Sequence, residues 1–166
     1  TQITTTSQPK IVDNGALVTG GLDFDGVDDI LNNPTITTQP LTVFSTYKAT
    51  ANSSTPIGGS ADAAAYGRRS TGEYVAFAGI ALASGTHPST EVLGTAIFNS
   101  TSSACRWNGI EILSGDIGTD ATVDYIGGNF TDRFTGTVAE VIIYNSDQSA
   151  NRVGIETNIN DHYNLF

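Results

Sequence analysis

Residues Phe134–Asn145, FTGTVAEVIIYN, limit the fold of this 166-residue chain more than any other stretch. Read at a period of two, Val138, Glu140, Ile142 and Tyr144 fall on one face and Ala139, Val141 and Ile143 on the other. A strand that is apolar on most of both faces must be covered on both sides, so it belongs inside a layered structure. Gly21–Ile30, GLDFDGVDDI, is its counterpart near the start. There Leu22 and Phe24 alternate with Asp23 and Asp25, a half-buried strand, and Asp25-Gly26 turns the chain. Threonine is the commonest residue, 18 glycines accompany it, and only 14% of residues are charged, which favours short strands and many turns over helices. The length suffices for one core without staples, and the lone Cys105 excludes an intrachain disulfide.

Along the chain, residues 1–9 are polar and end at Pro9, which predicts an N-terminal arm or linker suited to pairing with a neighbouring chain. Residues 10–166 form one domain. Its elements begin with a Lys10–Thr19 hairpin around Asn14-Gly15 and a strand over Leu41–Thr50. Further strands are expected at Thr55–Gly58, Glu73–Ala83, Val92–Phe98, Ser103–Trp107, Ile110–Leu113, Val123–Gly127 and Thr135–Tyr144, with a turn at Gly85–Pro88 and a hairpin turn at Asn108-Gly109. From Ser149 the period changes. Ile155, Ile159, Tyr163 and Phe166 fall at helical spacing, which predicts a closing helix over about 149–163 with Ser149 as N-cap and Asn151, Asn158 and Asn160 facing out.

The FDGVDD segment and the Phe134–Asn145 strand occur with IGG at Ile57–Gly59, WNG at Trp107–Gly109 and IGGN at Ile126–Asn129. Together they resemble the concanavalin A-like jelly-roll domains of the laminin-G-like type, over residues 16–166. The resemblance implies an all-β fold, a two-sheet antiparallel jelly-roll sandwich with a C-terminal α-helix. It also implies a binding or structural module rather than an enzyme. The closing helix resembles the one that ends such domains in tail-fibre and capsid decoration proteins of bacteriophages. That implies a structural protein at the virion surface, outside the cell.

Charge narrows the partners. Seventeen acidic residues against seven basic ones give a net charge of −10, which repels phosphate backbones and disfavours nucleic acid. No apolar run approaches the length of a membrane span, which argues against membrane insertion, and the start at Thr1 without any methionine reads as a processed chain or a fragment of something longer. The expected partners are other virion proteins or identical subunits, a homotrimer among the possibilities, together with cell-surface glycans.

Candidate chemistry is sparse. Asp23, Asp25, Asp28 and Asp29 could supply oxygens to Ca²⁺, the one cofactor the sequence suggests; the alternative is that Asp25 and Asp28 accept backbone N–H bonds within an Asx turn. A glycosidase needs two carboxylates about 5–9 Å apart across the scissile bond. The five glutamates, Glu73, Glu91, Glu111, Glu140 and Glu156, are isolated from one another, and no G-x-S-x-G elbow occurs. His87 and His162 lack partners at ligand spacing, and Cys105 reads as a small buried hydrophobe. No catalytic residue is therefore assigned. For binding, Trp107 beside Arg106 at a hairpin tip is a candidate for sugar stacking or for hairpin packing. Tyr66, Arg68 and Arg69 in an Ala63–Thr71 loop could grip an acidic sugar or a partner's carboxylates. Asn129 lies with Asp132 and Arg133 in the loop before the last long strand.

Overall fold

The computed structural model describes residues 2–52, 54–60, 64–129 and 131–166. Fourteen strands precede one helix among them: β1 Val12–Asp13, β2 Ala16–Leu17, β3 Leu22–Asp25, β4 Leu31–Ile36, β5 Leu41–Ala49, β6 Ser54–Gly58 and β7 Ala65–Arg68. They continue with β8 Glu73–Phe77, β9 Ala81–Thr86, β10 Val92–Phe98, β11 Ser103–Trp107, β12 Ile110–Gly115, β13 Val123–Ile126 and β14 Thr135–Tyr144, and α1 spans Arg152–Tyr163. Two six-stranded antiparallel sheets face each other, in the orders β12-β11-β10-β5-β14-β3 and β4-β13-β6-β7-β8-β9. This is a jelly-roll sandwich with a C-terminal helix. No helix among the described residues is long and apolar enough to cross a membrane.

β5 shows how sequence and layering agree. Leu41, Val43, Tyr47 and Ala49 enter the core between the sheets, while Phe44 on the opposite face packs with Leu93 and Ile159 under the helix. Both faces of this strand are buried because α1 covers the outside of its sheet. β14 is likewise covered on both sides, but not at one unbroken period. Val138 pairs with Tyr47 and Glu140 with Thr46, so Ala139 is an extra residue, a β-bulge. The bulge resets the alternation, so Val138 shares the inner core with Val141 and Ile143, while Ile142 and Tyr144 face the helix. Strict alternation had put Val138 on the face of Ile142.

Other local expectations need correction too. The long Glu73–Ala83 strand is two strands, β8 and β9, because Ala78-Gly79-Ile80 turns the chain and Gly79 adopts φ +100°. The segment Ala65–Arg68 is strand rather than exposed loop, while Ala63 lies outside the described residues. The N-cap of α1 is Asn151, not Ser149. Ser149 instead donates its N–H to Asp147 Oδ1, two residues earlier, at 2.7 Å. Phe166 falls beyond the αL residue Asn164 and is 54% exposed, so only Ile155, Ile159 and Tyr163 of the expected stripe pack inward. Asn160 does not face out freely. Its Oδ1 accepts the N–H groups of Leu165 and Phe166, which ties the last residues back to the helix. The helix is also fixed by Glu156, which is buried, accepts from Thr95 Oγ1 at 2.8 Å and pairs with Arg152.

The turns at Asn14-Gly15 and Asn108-Gly109 close hairpins as expected, each with positive φ at both residues. Residues 5–7 make a short 3₁₀ turn against their own domain, where the N–H of Ile30 donates to Ser7 O at 3.1 Å.

Candidate functional site

Strand register gathers the sequence candidates at one end of the sandwich. β3 ends at Asp25 opposite Thr135, β5 ends at Ala49 opposite Gly136, and β10 begins at Val92 opposite Tyr47. In the other sheet, Arg68 at the end of β7 lies opposite Ser54 and Tyr74, and Thr86 at the end of β9 lies opposite Glu73. Loops 26–30, 50–52, 69–72, 87–91 and 108–109 therefore open on a common rim, joined by the start of β14.

The acidic turn occupies one side of it. The carboxylates of Asp25, Asp28 and Asp29 each offer an oxygen within 4.8 Å of the others, whereas Asp23 stands apart, its backbone bridged to Lys10. Two of the three are engaged in turn chemistry, and the third ties the turn to the N-terminal segment. Asp29 Oδ2 accepts the N–H of Asp25 at 2.9 Å, Asp25 Oδ1 accepts that of Val27 at 2.8 Å, and Asp28 Oδ2 accepts from Ser7 Oγ at 3.0 Å. Burial first, then the neighbouring aspartates, pushes the Asp29 carboxyl above the usual carboxylate range. Three oxygens supply part of a calcium shell that wants six to eight. Asp29→Asn keeps an acceptor for the Asp25 N–H and removes a repelled charge. In chelator it should leave the protein as stable as the parent or about 0.5–1 kcal/mol more so. If the turn holds calcium, millimolar Ca²⁺ should raise the melting temperature of the parent but not of the variant, which thermal unfolding in both media will show.

The middle of the rim is aromatic. Tyr47, Tyr74 and His87 are all at most 1% exposed, and Trp107 stands edge-on to Tyr74 at 5.1 Å and to His87 at 5.2 Å. His87 Nδ1 meets Pro88 O at 2.7 Å, a carbonyl that can only accept, so Nδ1 carries the proton. Nε2 then accepts from the Tyr47 hydroxyl at 2.8 Å. Burial holds the imidazole at a pKa of about 4, with the Arg68 charge adding in the same direction. Cys105, buried beneath this cluster, has its thiol pushed up to about 12 by burial. It is a packing residue, not a nucleophile.

The structure separates the sequence candidates. Tyr66 is fully buried, its hydroxyl bonded to Ser45 Oγ and its ring edge-on to Tyr47. It is a core residue and cannot touch a ligand at the surface. Trp107 points inward into the aromatic group, while its neighbour Arg106 lies on the other face of β11, opposite Thr95 and paired with Glu111. Successive strand residues face opposite ways, so the two cannot act on one sugar. Asn129 spends its Oδ1 on the N–H groups of Thr131 and Asp132, its O accepts from Arg133, and it folds over Gly58 on the outer face of the sheet. Arg68 and Arg69 remain adjacent at the rim, Arg69 exposed. Tyr74 and His87 were not singled out for the site. Tyr74 was legible only as an inward strand position, and nothing in the sequence marks His87 as buried. His162 is exposed on α1.

No protein-family model and no curated protein matches the chain. Solved structures do. The sialidase of Trypanosoma rangeli aligns over 86% of this chain at 17% identity with a TM-score of 0.60, and its complex with the inhibitor DANA over 87% at 16% and 0.59. Domains LG4-5 of the mouse laminin α1 chain align over 88% at 10% identity with a TM-score of 0.54. The chain spans 28% of the sialidase and 47% of the laminin fragment. These likenesses show the fold, a jelly roll of the laminin-G and concanavalin A-like kind.

Proposed function

We propose that this chain is a non-enzymatic module of a virion surface, a capsid decoration or tail-fibre domain, that adheres to host-surface glycan through its loop rim. The observation that carries the glycan reading is the convergence of five loops on one end, with the Arg68–Arg69 pair among them and no ion pair to either arginine among the described residues. Aromatic packing behind these loops makes the rim rigid rather than deep, which suits weak contacts multiplied by copy number. The likeness of the closing helix to phage proteins supports the virion setting. Against catalysis, the carboxylates clustered among the described residues, Asp25, Asp28 and Asp29, lie on one turn and already accept hydrogen bonds. A glycosidase needs its two on opposite sides of the scissile bond.

A tetravalent display of the protein on a glycan array, with cryo-electron microscopy of the native particle, tests this reading. Retention of a defined glycan class by the tetramer, and rim loops facing outward on the particle, are the expected results. Absence of any retained glycan would leave the module purely structural. One observation favours that second reading. Ile3, Ile11 and Leu17 are 89%, 61% and 73% exposed, and a cleft of about 510 Å³ lined by Ile11, Leu17, Leu22, Leu31 and Val138 runs between the N-terminal hairpin and the sandwich. Such apolar exposure suits assembly. On the particle, that reading requires residues 2–18 to be buried against a neighbour.

A further inference from the structure

We propose that Arg68 anchors an anion subsite in this rim that takes the carboxylate of an acidic saccharide, an inference that rests on the glycan-binding reading above. Arg68 closes β7 directly opposite Tyr74, whose side chain points into the core, so the arginine side chain enters the same inner face at its mouth. Its Nε is buried and has no hydrogen-bond partner. No carboxylate of a described residue lies within 4 Å of its guanidinium. Lys10, Arg106 and Arg152, by contrast, each hold an acidic partner.

Among the described residues Lys48, Arg69 and Arg133 also lack an acidic partner, and of these four cations Arg68 alone has a buried N–H without an acceptor. A buried donor of a charged group left without an acceptor is destabilising, and an aspartate or glutamate in the neighbouring turn would relieve it. Glu73 is at hand but is turned elsewhere, accepting from Thr71 Oγ1 at 2.6 Å. A guanidinium presents five N–H donors in a planar fork that oxyanions such as carboxylate and phosphate match two at a time, and carboxylate is the singly charged one.

The surroundings are built to hold that fork still. The β7–β8 turn is closed by Arg69 N–H to Glu73 O at 2.8 Å and Gly72 N–H to Arg69 O at 2.9 Å. It is clamped from both sides, by Asn52 Nδ2 donating to Ser70 O and by the N–H of His87 donating to Gly72 O, each at 2.9 Å. Gly72 has φ +85°, and a Cβ there would lie 3.9 Å from Arg68 Nη2 and 3.8 Å from Asn52 Oδ1. The outer end of the arginine and the Asn52 amide thus flank one glycine, where a ligand can approach the backbone closely. Exposed Arg69 next to it adds attraction at longer range. A polyanion such as nucleic acid does not suit the site, because the net charge of −10 repels it beyond this one spot. A saccharide carrying a single carboxylate per residue suits it better.

The test is an array of matched pairs, each an acidic saccharide beside its neutral methyl ester, read with the tetravalent parent protein and with Arg68→Gln. The parent should bind the acids about 10-fold to 100-fold more tightly than the esters, and Arg68→Gln should bring the acids down to the ester level. Arg68→Lys should not restore the preference, since an ammonium cannot make the bidentate contact. The comparison of acid with ester on the parent needs no variant, so a poorly folded Arg68→Gln does not spoil it. Equal binding of acids and esters overturns the subsite while leaving the glycan reading standing. Binding of neither overturns both. Preference for acids that survives in a folded Arg68→Gln also overturns the subsite, and moves the anchor to Arg69 or Arg133. A preference confined to carboxylated peptides printed on the same array overturns it in favour of a protein partner.

Discussion

Acidification from neutral pH to about pH 4 is expected to remove about 3 kcal/mol of stability through His87 alone. Folding lowers its pKa from 6.5 to about 4, and each unit corresponds to about 1.4 kcal/mol. The direction follows from which state takes the proton. Above the unfolded value both states are neutral, and the contribution is fully present. As the pH falls through 6.5 the unfolded chain binds a proton that the folded chain refuses, so stability drains away until the folded imidazole itself titrates near 4. The refusal has a structural cause. Burial removes the water that would solvate an imidazolium, and the Arg68 cation repels it further, so the folded ring stays neutral with Nδ1 donating to Pro88 O and Nε2 accepting from Tyr47. The groups facing the ring are Tyr47 of β5, Tyr74 of β8, Trp107 of β11 and the cation of Arg68 on β7, and none is an anion. Asp29, raised by burial, works the other way and returns some stability at the acid end. Urea unfolding across this window should show the slope in the parent and a flattened one in His87→Gln, which has nothing to titrate. An unchanged slope in the variant would remove His87 from the account.

The fold was legible wherever one residue type forces one backbone geometry. Asn14-Gly15 and Asn108-Gly109 announce hairpins because both positions need positive φ, and both are found there. FDGVDD announces a strand and an Asx turn, and Asp25 and Asp29 accept the backbone N–H groups that such a turn leaves unpaired. The apolar run of β14 announced a doubly covered strand. Its faces were misassigned, because a β-bulge inserts one residue without any composition of its own, and Ala139 looks like any other strand alanine. The Ala78-Gly79-Ile80 turn was missed for a similar reason: a single glycine between apolar residues reads as strand until the pairing of Phe77 with Ala81 is seen.

The site was legible by residue type and not by direction. Arg68, Arg69 and Trp107 do reach one rim, but Tyr66 is two residues from Arg68 on the same inward face and is carried wholly into the core by strand length. Arg106 and Trp107 are neighbours in sequence and opposites in space, which follows from the strand period once β11 is known to be a strand throughout. The burial of His87 depends on Tyr47, Tyr74 and Trp107, residues 40, 13 and 20 positions away. No local pattern carries that information.

Gly127→Ala is expected to be among the most damaging single-methyl changes in the chain, at roughly 3–5 kcal/mol. Gly127 has φ +94°, so a side chain is strained there before any contact is considered. Its Cβ would also overlap the ring of Phe24, with even the far Cζ only 3.1 Å away. Neither partner can retreat. The glycine is held on both sides, its N–H donating to Pro56 O at 2.8 Å and its O accepting from Phe134 N–H at 3.0 Å. Phe24 is 1% exposed and packs edge-on against Phe134 at 5.9 Å, which in turn packs against Tyr47 at 6.0 Å. Displacing Phe24 would therefore disturb the aromatic group behind the rim and the Asp25–Asp29 turn that directly follows it. Gly154→Ala is the matched control. It lies in α1 with nothing within 4 Å of a new methyl, and should stabilise by about 0.5–1 kcal/mol through helix propensity. Chemical denaturation of the two variants should move their midpoints in opposite directions. If Gly127→Ala unfolds with the midpoint of the parent, the close packing of Gly127 against Phe24 is not what holds the two rim elements together.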